Sequence, residues 1–286
     1  MTCRLPGSAF YVALNEGTRL QSTATRRFSQ PASNLESDIA LPYNFSPPPT
    51  WRALVATQTQ GRDDCLPPYA ADVGCGPGRF LPELHDLVGG DVIGLDISAH
   101  MLVSARERFG GQFALVQADA RGLPLKPRSC GLVLHRYLLH HLRAPQDAVT
   151  EASRVLARGG YLVVESSDPE WLRNRAEYRD FPRVAMTDLS RWPPLSQIIG
   201  WMRDAQLDFS AHIEVHLTRD IVTKTTYMTR LDTWKTVGGG TSFWQLFDAT
   251  ERSQFVSAEV ERLAKTADTS LIPIPSDGML VVGRKL

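Results

Sequence analysis

The amino-acid sequence predicts an α/β protein built on a mostly parallel, seven-stranded sheet with helices on both faces. Three observations lead there. Short apolar runs alternate with helical patterns at the spacing of βαβ units. The first run closes in a glycine-rich turn, which suits a strand that bends sharply into a helix. The apolar fraction of 43% and the charged fraction of 22% are those of a globular domain that buries such a sheet.

Taken in order, Tyr69 to Val73 reads as a buried strand, and Arg79 to Leu87 as the helix after the glycine turn. Asp91 to Leu95 is the second strand, with a helix from Ser98 to Phe109. Gln112 to Gln117 is the third strand and Gly131 to Leu134 the fourth. Ala144 to Ala157 is helical and Gly160 to Glu165 is the fifth strand. The rhythm then breaks. Residues 168–194, with Trp171, Trp192 and several prolines, read as irregular or short helix. Leu195 to Gln206 is a helix and His212 to Leu217 a sixth strand. A second irregular region, 219–270, carries helical patterns near Thr225–Thr236 and Glu251–Ala267, with Gly238-Gly239-Gly240 between them. Met279 to Gly283 is the closing strand.

Ahead of the sheet, residues 34–50 form a proline-rich connection, and a short helix is expected over Trp51–Gln60. The chain therefore divides into an N-terminal arm or cap, 1–50, and one α/β domain, 51–286. Segments 168–194 and 219–270 are expected to be inserted in that domain as a lid. Residues 1–33 hold no secretory apolar core and read as a tail, or as an arm that packs on a neighbouring subunit in a homo-oligomer.

Lys+Arg and Asp+Glu both number 31, so the chain offers no electrostatic footprint for a polyanion, and a dedicated nucleic-acid binder is disfavoured. No run approaches the roughly 18 apolar residues of a membrane helix, and no membrane segment is expected. The four cysteines, Cys3, Cys65, Cys75 and Cys130, are scattered, which fits a reducing cytoplasm rather than a disulfide framework. No Cys/His cluster has zinc spacing, and no metal is expected.

The chemistry concentrates at the first turn, Asp72-Val73-Gly74-Cys75-Gly76-Pro77-Gly78. Its Gly-x-Gly-x-Gly spacing differs from the Gly-x-Gly-x-x-Gly of dinucleotide binding, and Pro77 removes an amide that a pyrophosphate could use. A nucleoside without phosphates fits better. Asp96, some twenty residues on at the end of the second strand, can accept both ribose hydroxyls. Asp119, after the third strand, sits where an adenine amino group would be read.

Together these segments resemble the class I methyltransferase family, in its small-molecule branch. Besides the glycine turn, the matching segments are Gly94-Leu95-Asp96-Ile97-Ser98 with Met101-Leu102, Ala118-Asp119-Ala120, Leu138-Leu139-His140-His141-Leu142 and Arg154-Val155-Leu156-Ala157-Arg158-Gly159-Gly160. The likeness is close over about residues 69–167 and loose elsewhere. It implies a Rossmann-like fold, the cofactor S-adenosyl-L-methionine, and methylation of a small, partly apolar acceptor, with a lean towards natural-product tailoring. Gly74, Gly76 and Gly78 would pass under the methionine part, with Asp72 near its amino group. Asp96 would hold the ribose, Ile97 and Met101 would flank the adenine, and Asp119 with the Ala120 amide would read its edge. The main chain of His135, placed just past the fourth strand, would meet the amine, and Tyr43 would cover the cofactor. Two positions depart from the family: Cys130-Gly131 replaces an aromatic-Asp pair, and Ala157-Arg158 replaces Lys-Pro.

Methyl transfer asks for a general base only when the acceptor carries a proton at the working pH. His135, His140 and Asp168 are the candidates nearest the carboxyl edge of the sheet, with His135 preferred. Aromatics such as Trp171, Trp192, Tyr227, Trp234, Phe243 and Trp244 suit an acceptor pocket or the lid's own packing. Two other readings keep the fold: a non-methylating reaction such as cyclisation, or a cofactor-binding subunit without chemistry.

Overall fold

The computed structural model describes residues 69–173, 178, 180–237 and 244–286. The expected arm 1–50, the Trp51–Gln60 helix and the triple glycine lie outside them. One sheet of seven strands organises the rest, in the order β3-β2-β1-β4-β5-β7-β6. Strands β1 (Tyr69–Val73), β2 (Asp91–Asp96), β3 (Ala114–Gln117), β4 (Cys130–Arg136) and β5 (Leu156–Ser166) run parallel. β7 (Leu271–Lys285) inserts antiparallel between β5 and β6 (Leu207–Thr223).

Local signals set the first two helices. Helix α1 (Leu81–Val88) has a proline in its first turn, where the missing N–H costs nothing. It stops at Gly89, which takes the left-handed conformation at φ 59°. Helix α2 (Ala99–Phe109) starts where the Ser98 hydroxyl accepts the Met101 N–H. These two helices bury one face of the sheet around Leu81, Leu84, Leu132 and Leu134. Helix α3 (Pro145–Val155) buries the other face with Ala148, Val149 and Ala152, together with Ile198 and Met202 of a later helix.

Several elements differ from expectation. β4 runs on to Arg136, so His135 lies inside the strand rather than past it. β5 begins at Leu156, directly after α3, and absorbs Gly159 and Gly160. A Cβ on Gly160 would stand 3.0 Å from the Gly131 carbonyl of β4, so a glycine is what lets the strands close at their shifted register. His140 and His141 sit on a single 3-10 turn, Leu139–His141.

The largest difference concerns 219–270. β6 and β7 pair from Leu207↔Lys285 as far as Thr223↔Leu271, whereas β5 pairs β7 only from Tyr161↔Arg284 to Ser166↔Met279. The remainder is a two-stranded ribbon growing out of the sheet. Pro273 and Pro275 hide it in the sequence, but this part of β7 has one edge without a described neighbour, where a proline is tolerated.

The ribbon leads into α7 (Lys224–Val237) and α8 (Ala249–Ala264), and the earlier insertion holds α4 (Pro169–Leu172) and α5 (Pro182–Leu189), followed by α6 (Leu195–Asp204). Asp248 and Glu251 form a capping box that starts α8 two residues earlier than expected. The two insertions share a second core of Val184, Leu231, Phe247, Phe255, Val256 and Leu263. Phe181 meets Phe247 and Phe255 at ring distances of 5.1 and 6.1 Å, and the Arg183 guanidinium pairs with Glu251. Apolar burial holds them together, because the ion pair is largely in solvent.

Phe247→Ala should therefore lower stability by about 3 kcal/mol in a urea titration, the scale of an emptied aromatic site. Arg183→Ala should move the midpoint much less. Equal losses would show that the ion pair, not the core, joins the insertions.

Candidate functional site

β1 has β2 on one side and β4 on the other, so the chain leaves their carboxyl ends in opposite directions and opens a crevice there. The glycine turn lines it. The N–H groups of Gly74 and Cys75 donate to the Leu95 carbonyl at 2.7 and 3.0 Å. The Gly76 N–H donates to Asp96 Oδ2 at 2.8 Å, and the Ser98 N–H to Asp96 Oδ1 at 2.8 Å. Burial raises the Asp96 carboxyl above its ordinary range, while the N–H groups of Ser98, Gly76 and Ile97 pull it back.

The three glycines are not equivalent. A Cβ on Gly74 would meet Leu138 at 2.9 Å, and one on Gly78 would meet Leu81 at 2.8 Å and Phe109 at 3.1 Å. Those two glycines allow close packing. Gly76, at φ 53°, has nothing among the described residues within 4 Å of such an atom. Its backbone faces open space, so it forms the cradle.

A charged group lies beside the cradle. Asp72 is buried at the end of β1. Arg136, at the end of β4, pairs with Glu165 of β5 and lies 3.9 Å over the Phe80 ring. Burial pushes the Asp72 carboxyl up to about 7; the Arg136 cation opposes this, while the Asp96 and Glu165 charges add to it. Asp72, Asp96 and Glu165 set against Arg136 favour a cationic ligand group.

On the far side of β2, Ile97 and Met101 are half-buried at the mouth, and Ala120 is buried. The Ala118 N–H donates to the Asp96 carbonyl at 3.0 Å, which brings the 118–120 segment to the crevice. Asp119 is held by Arg121, Nε to Oδ1 at 2.9 Å and Nη2 to Oδ2 at 2.6 Å, and these bonds lower its carboxyl below the usual range. The glycine turn, Asp96 and the 118–120 segment thus meet at the carboxyl ends of β1 and β2, with Ile97 and Met101 following directly on Asp96. Tyr43 lies outside the described residues.

The candidate bases fare differently. His135 is fully buried, neither ring nitrogen has a hydrogen-bond partner among the described residues, and burial lowers it to about 3. It is neutral at pH 7 and poorly suited to accept a proton. His140 is buried with its ring stacked on Trp192 at 3.7 Å, and burial holds it well below its ordinary value. Asp168 accepts the Glu170 N–H at 2.8 Å and the Leu195 N–H at 3.4 Å, so its carboxylate fixes the entry to α4. Among the proposed pocket aromatics, Trp192 stacks on His140 and Tyr227 packs against the second core. Phe243 and the side chains of Trp171, Trp234 and Trp244 lie outside what is described.

Tyr137, which the sequence did not mark, stands at the carboxyl end of β4. Its backbone is left-handed at φ 47°, unusual for an aromatic residue, and its N–H donates to the Glu165 carbonyl at 2.8 Å. Its hydroxyl lies 3.2 Å from where a Cβ on Gly278 would stand. Among the described residues no cluster of His, Cys, Asp and Glu could hold a metal ion, and no helix is long and apolar enough to cross a membrane.

A family model described as a methyltransferase domain matches residues 71–164. Malonyl-[acyl-carrier protein] O-methyltransferase of a Marinomonas species is 39% identical over 95 residues, which cover 32% of this chain and 35% of that one. Demethylmenaquinone methyltransferase of Oceanobacillus iheyensis is 30% identical over 154 residues, covering 51% of this chain and 65% of that one. The chain thus spans a third to two thirds of the length of these curated relatives. Among solved structures, the [4+2]-cyclase SpnF superposes with a TM-score of 0.53 at 18% identity, over 82% of this chain and 80% of that one. That likeness shows the fold.

Asp72 yields a stability prediction with a definite sign. Its folded value of about 7 lies above the ordinary 3.8, so the folded chain holds a proton that the unfolded chain releases. Its contribution is fully present below about pH 4 and is lost as pH rises to about 7. Asp72→Asn should therefore gain stability over the unaltered chain between pH 4 and pH 8, by at most about 1.4 kcal/mol per unit of the window. Denaturant melts at both pH values check this; a difference that does not change with pH would mean the carboxyl is not raised.

Proposed function

We propose, from the premise that the chain belongs to the class I S-adenosylmethionine-dependent methyltransferase family, that it methylates a small, partly apolar metabolite. The observation that carries this reading is the open backbone at Gly76, fixed by Asp96 and flanked by the buried Asp72. The residues fit the family's cofactor. The Asp96 carboxylate accepts the Gly76 and Ser98 N–H groups, and its remaining acceptor capacity would serve a ribose hydroxyl. Asp72 would face the ammonium of the methionine part, whose positive charge favours the ionised carboxylate. The 118–120 segment would read the adenine between Ile97 and Met101.

When bound, S-adenosylmethionine supplies a sulfonium methyl group that is already a good electrophile. The chain's part is to align the acceptor and keep water away. His135 and His140, neutral and buried, are not assigned as bases, so the acceptor atom would carry its own lone pair or be ionised at the working pH. The insertions, sharing one apolar core, would form the acceptor side of the crevice with Tyr137. The balanced charge of the chain supports a small acceptor over a polyanion. A second reading, the same cofactor serving a non-methylating reaction, draws support from the shared fold of a cyclase. Turnover with no gain of a methyl mass in the product would decide for it.

Calorimetric titration should give micromolar binding of S-adenosylhomocysteine and negligible binding of NAD. Asp96→Ala should weaken S-adenosylhomocysteine by about 1.5–3 kcal/mol, the scale of lost charge-assisted hydrogen bonds, while the fold survives. Tighter binding of NAD, or unchanged affinity with a collapsed melting temperature, would overturn the assignment.

A further inference from the structure

The loop between β3 and β4 carries Asp119 and Ala120, and no strand ladder fixes it beyond a bridge of Asp119 to Gly122. Leu123 and Leu125 are buried there, so their backbone groups need partners. Side chains of α3 supply them. Glu151 Oε1 accepts the Leu123 N–H at 2.7 Å. Arg154 Nη2 donates to the Leu123 and Leu125 carbonyls, each at 3.0 Å. The two side chains lock together, Arg154 Nε to Glu151 Oε2 and Nη2 to Oε1, both at 2.7 Å. The Arg154 carbonyl also accepts the Arg128 N–H at 3.0 Å.

Helix α3 is rigidly seated, because Ala148, Val149, Ala152 and Val155 are fully buried against the sheet. The 118–120 segment therefore hangs between two anchors: the Asp96 carbonyl on one side and the Glu151–Arg154 pair on the other. A Glu-x-x-Arg pair on a helix surface contributes little by itself. Here the planar guanidinium reaches two carbonyls and a carboxylate at once, which a lysine ammonium does not reproduce.

We infer that Glu151 and Arg154 are positioning residues that hold the 118–120 segment in register to recognise the cofactor's adenine. The inference rests on the adenine reading above. It assigns these residues no contact with the ligand; they act through the loop.

The test compares binding of S-adenosylhomocysteine with its inosine counterpart, in which a carbonyl replaces the adenine amino group. The proteins are the full chain and its Arg154→Lys, Arg154→Gln and Glu151→Gln variants. The unaltered chain should prefer the adenine ligand by at least about tenfold, the order expected when a polar site meets the wrong partner. The variants should lose most of that preference, while thermal melts show them folded. A mere staple of the fold would lower the melting temperature and leave the ratio intact. Folded variants that keep the full preference overturn the inference while the adenine reading stands. An unaltered chain without preference overturns that reading and the inference with it. Should Arg154→Gln not fold, Arg154→Lys and Glu151→Gln carry the same comparison.

Discussion

At the carboxyl edge of the sheet, beside the point where the winding reverses between β1 and β4, the Asp96 carboxylate ties the end of β1 to the end of β2. It takes the Gly76 N–H from one side and the Ser98 N–H from the other, each at 2.8 Å. Much of the site depends on that bridge. It sets the height of the glycine turn, keeps the Gly76 backbone facing open space, and fixes the entry to the helix that carries Met101. The Asp96 carbonyl holds the Ala118 N–H, which draws the third strand's loop to the same place. One residue thus ties together the three chain segments of the candidate nucleoside site.

The same site concentrates charge where charge is costly. Asp72, Asp96 and Glu165 gather at the strand ends, with Arg136 as their nearby counterion. Buried carboxylates with a single cation among them oppose folding rather than favour it. A ligand that brings an ammonium and a sulfonium would offset this imbalance, so the cost of gathering these carboxylates and affinity for a cationic ligand have one cause. The left-handed Tyr137 backbone beside Arg136 adds a local cost at the same edge of the sheet.

The strands around the crevice were legible because each is a buried apolar run, and the glycine spacing with the acid twenty residues on marked the turn. What eluded sequence reasoning shares a physical reason: it depends on partners distant in the chain. β5 takes in Gly159 and Gly160 because Gly131 lies opposite, and β7 runs through two prolines because its edge has no described neighbour there. His135 read as a base because its type allows it, whereas the structure buries it within β4, where burial lowers it to about 3. Tyr137 gave no signal, since aromatic residues seldom adopt its backbone conformation. The hold of Glu151 and Arg154 on the loop gave no local signal, because the carbonyls Arg154 reaches are 29 and 31 residues away.

The carboxyl ends of β1, β2 and β3, joined through Asp96, are the proposed nucleoside site. Hydrogen exchange with and without saturating S-adenosylhomocysteine tests it most directly. Protection should rise at the amides of 74–78, 96–98 and 118–120, while the amides of α8 in the second core change little. Binding that protects the second core and leaves the three strand ends unchanged would contradict the account.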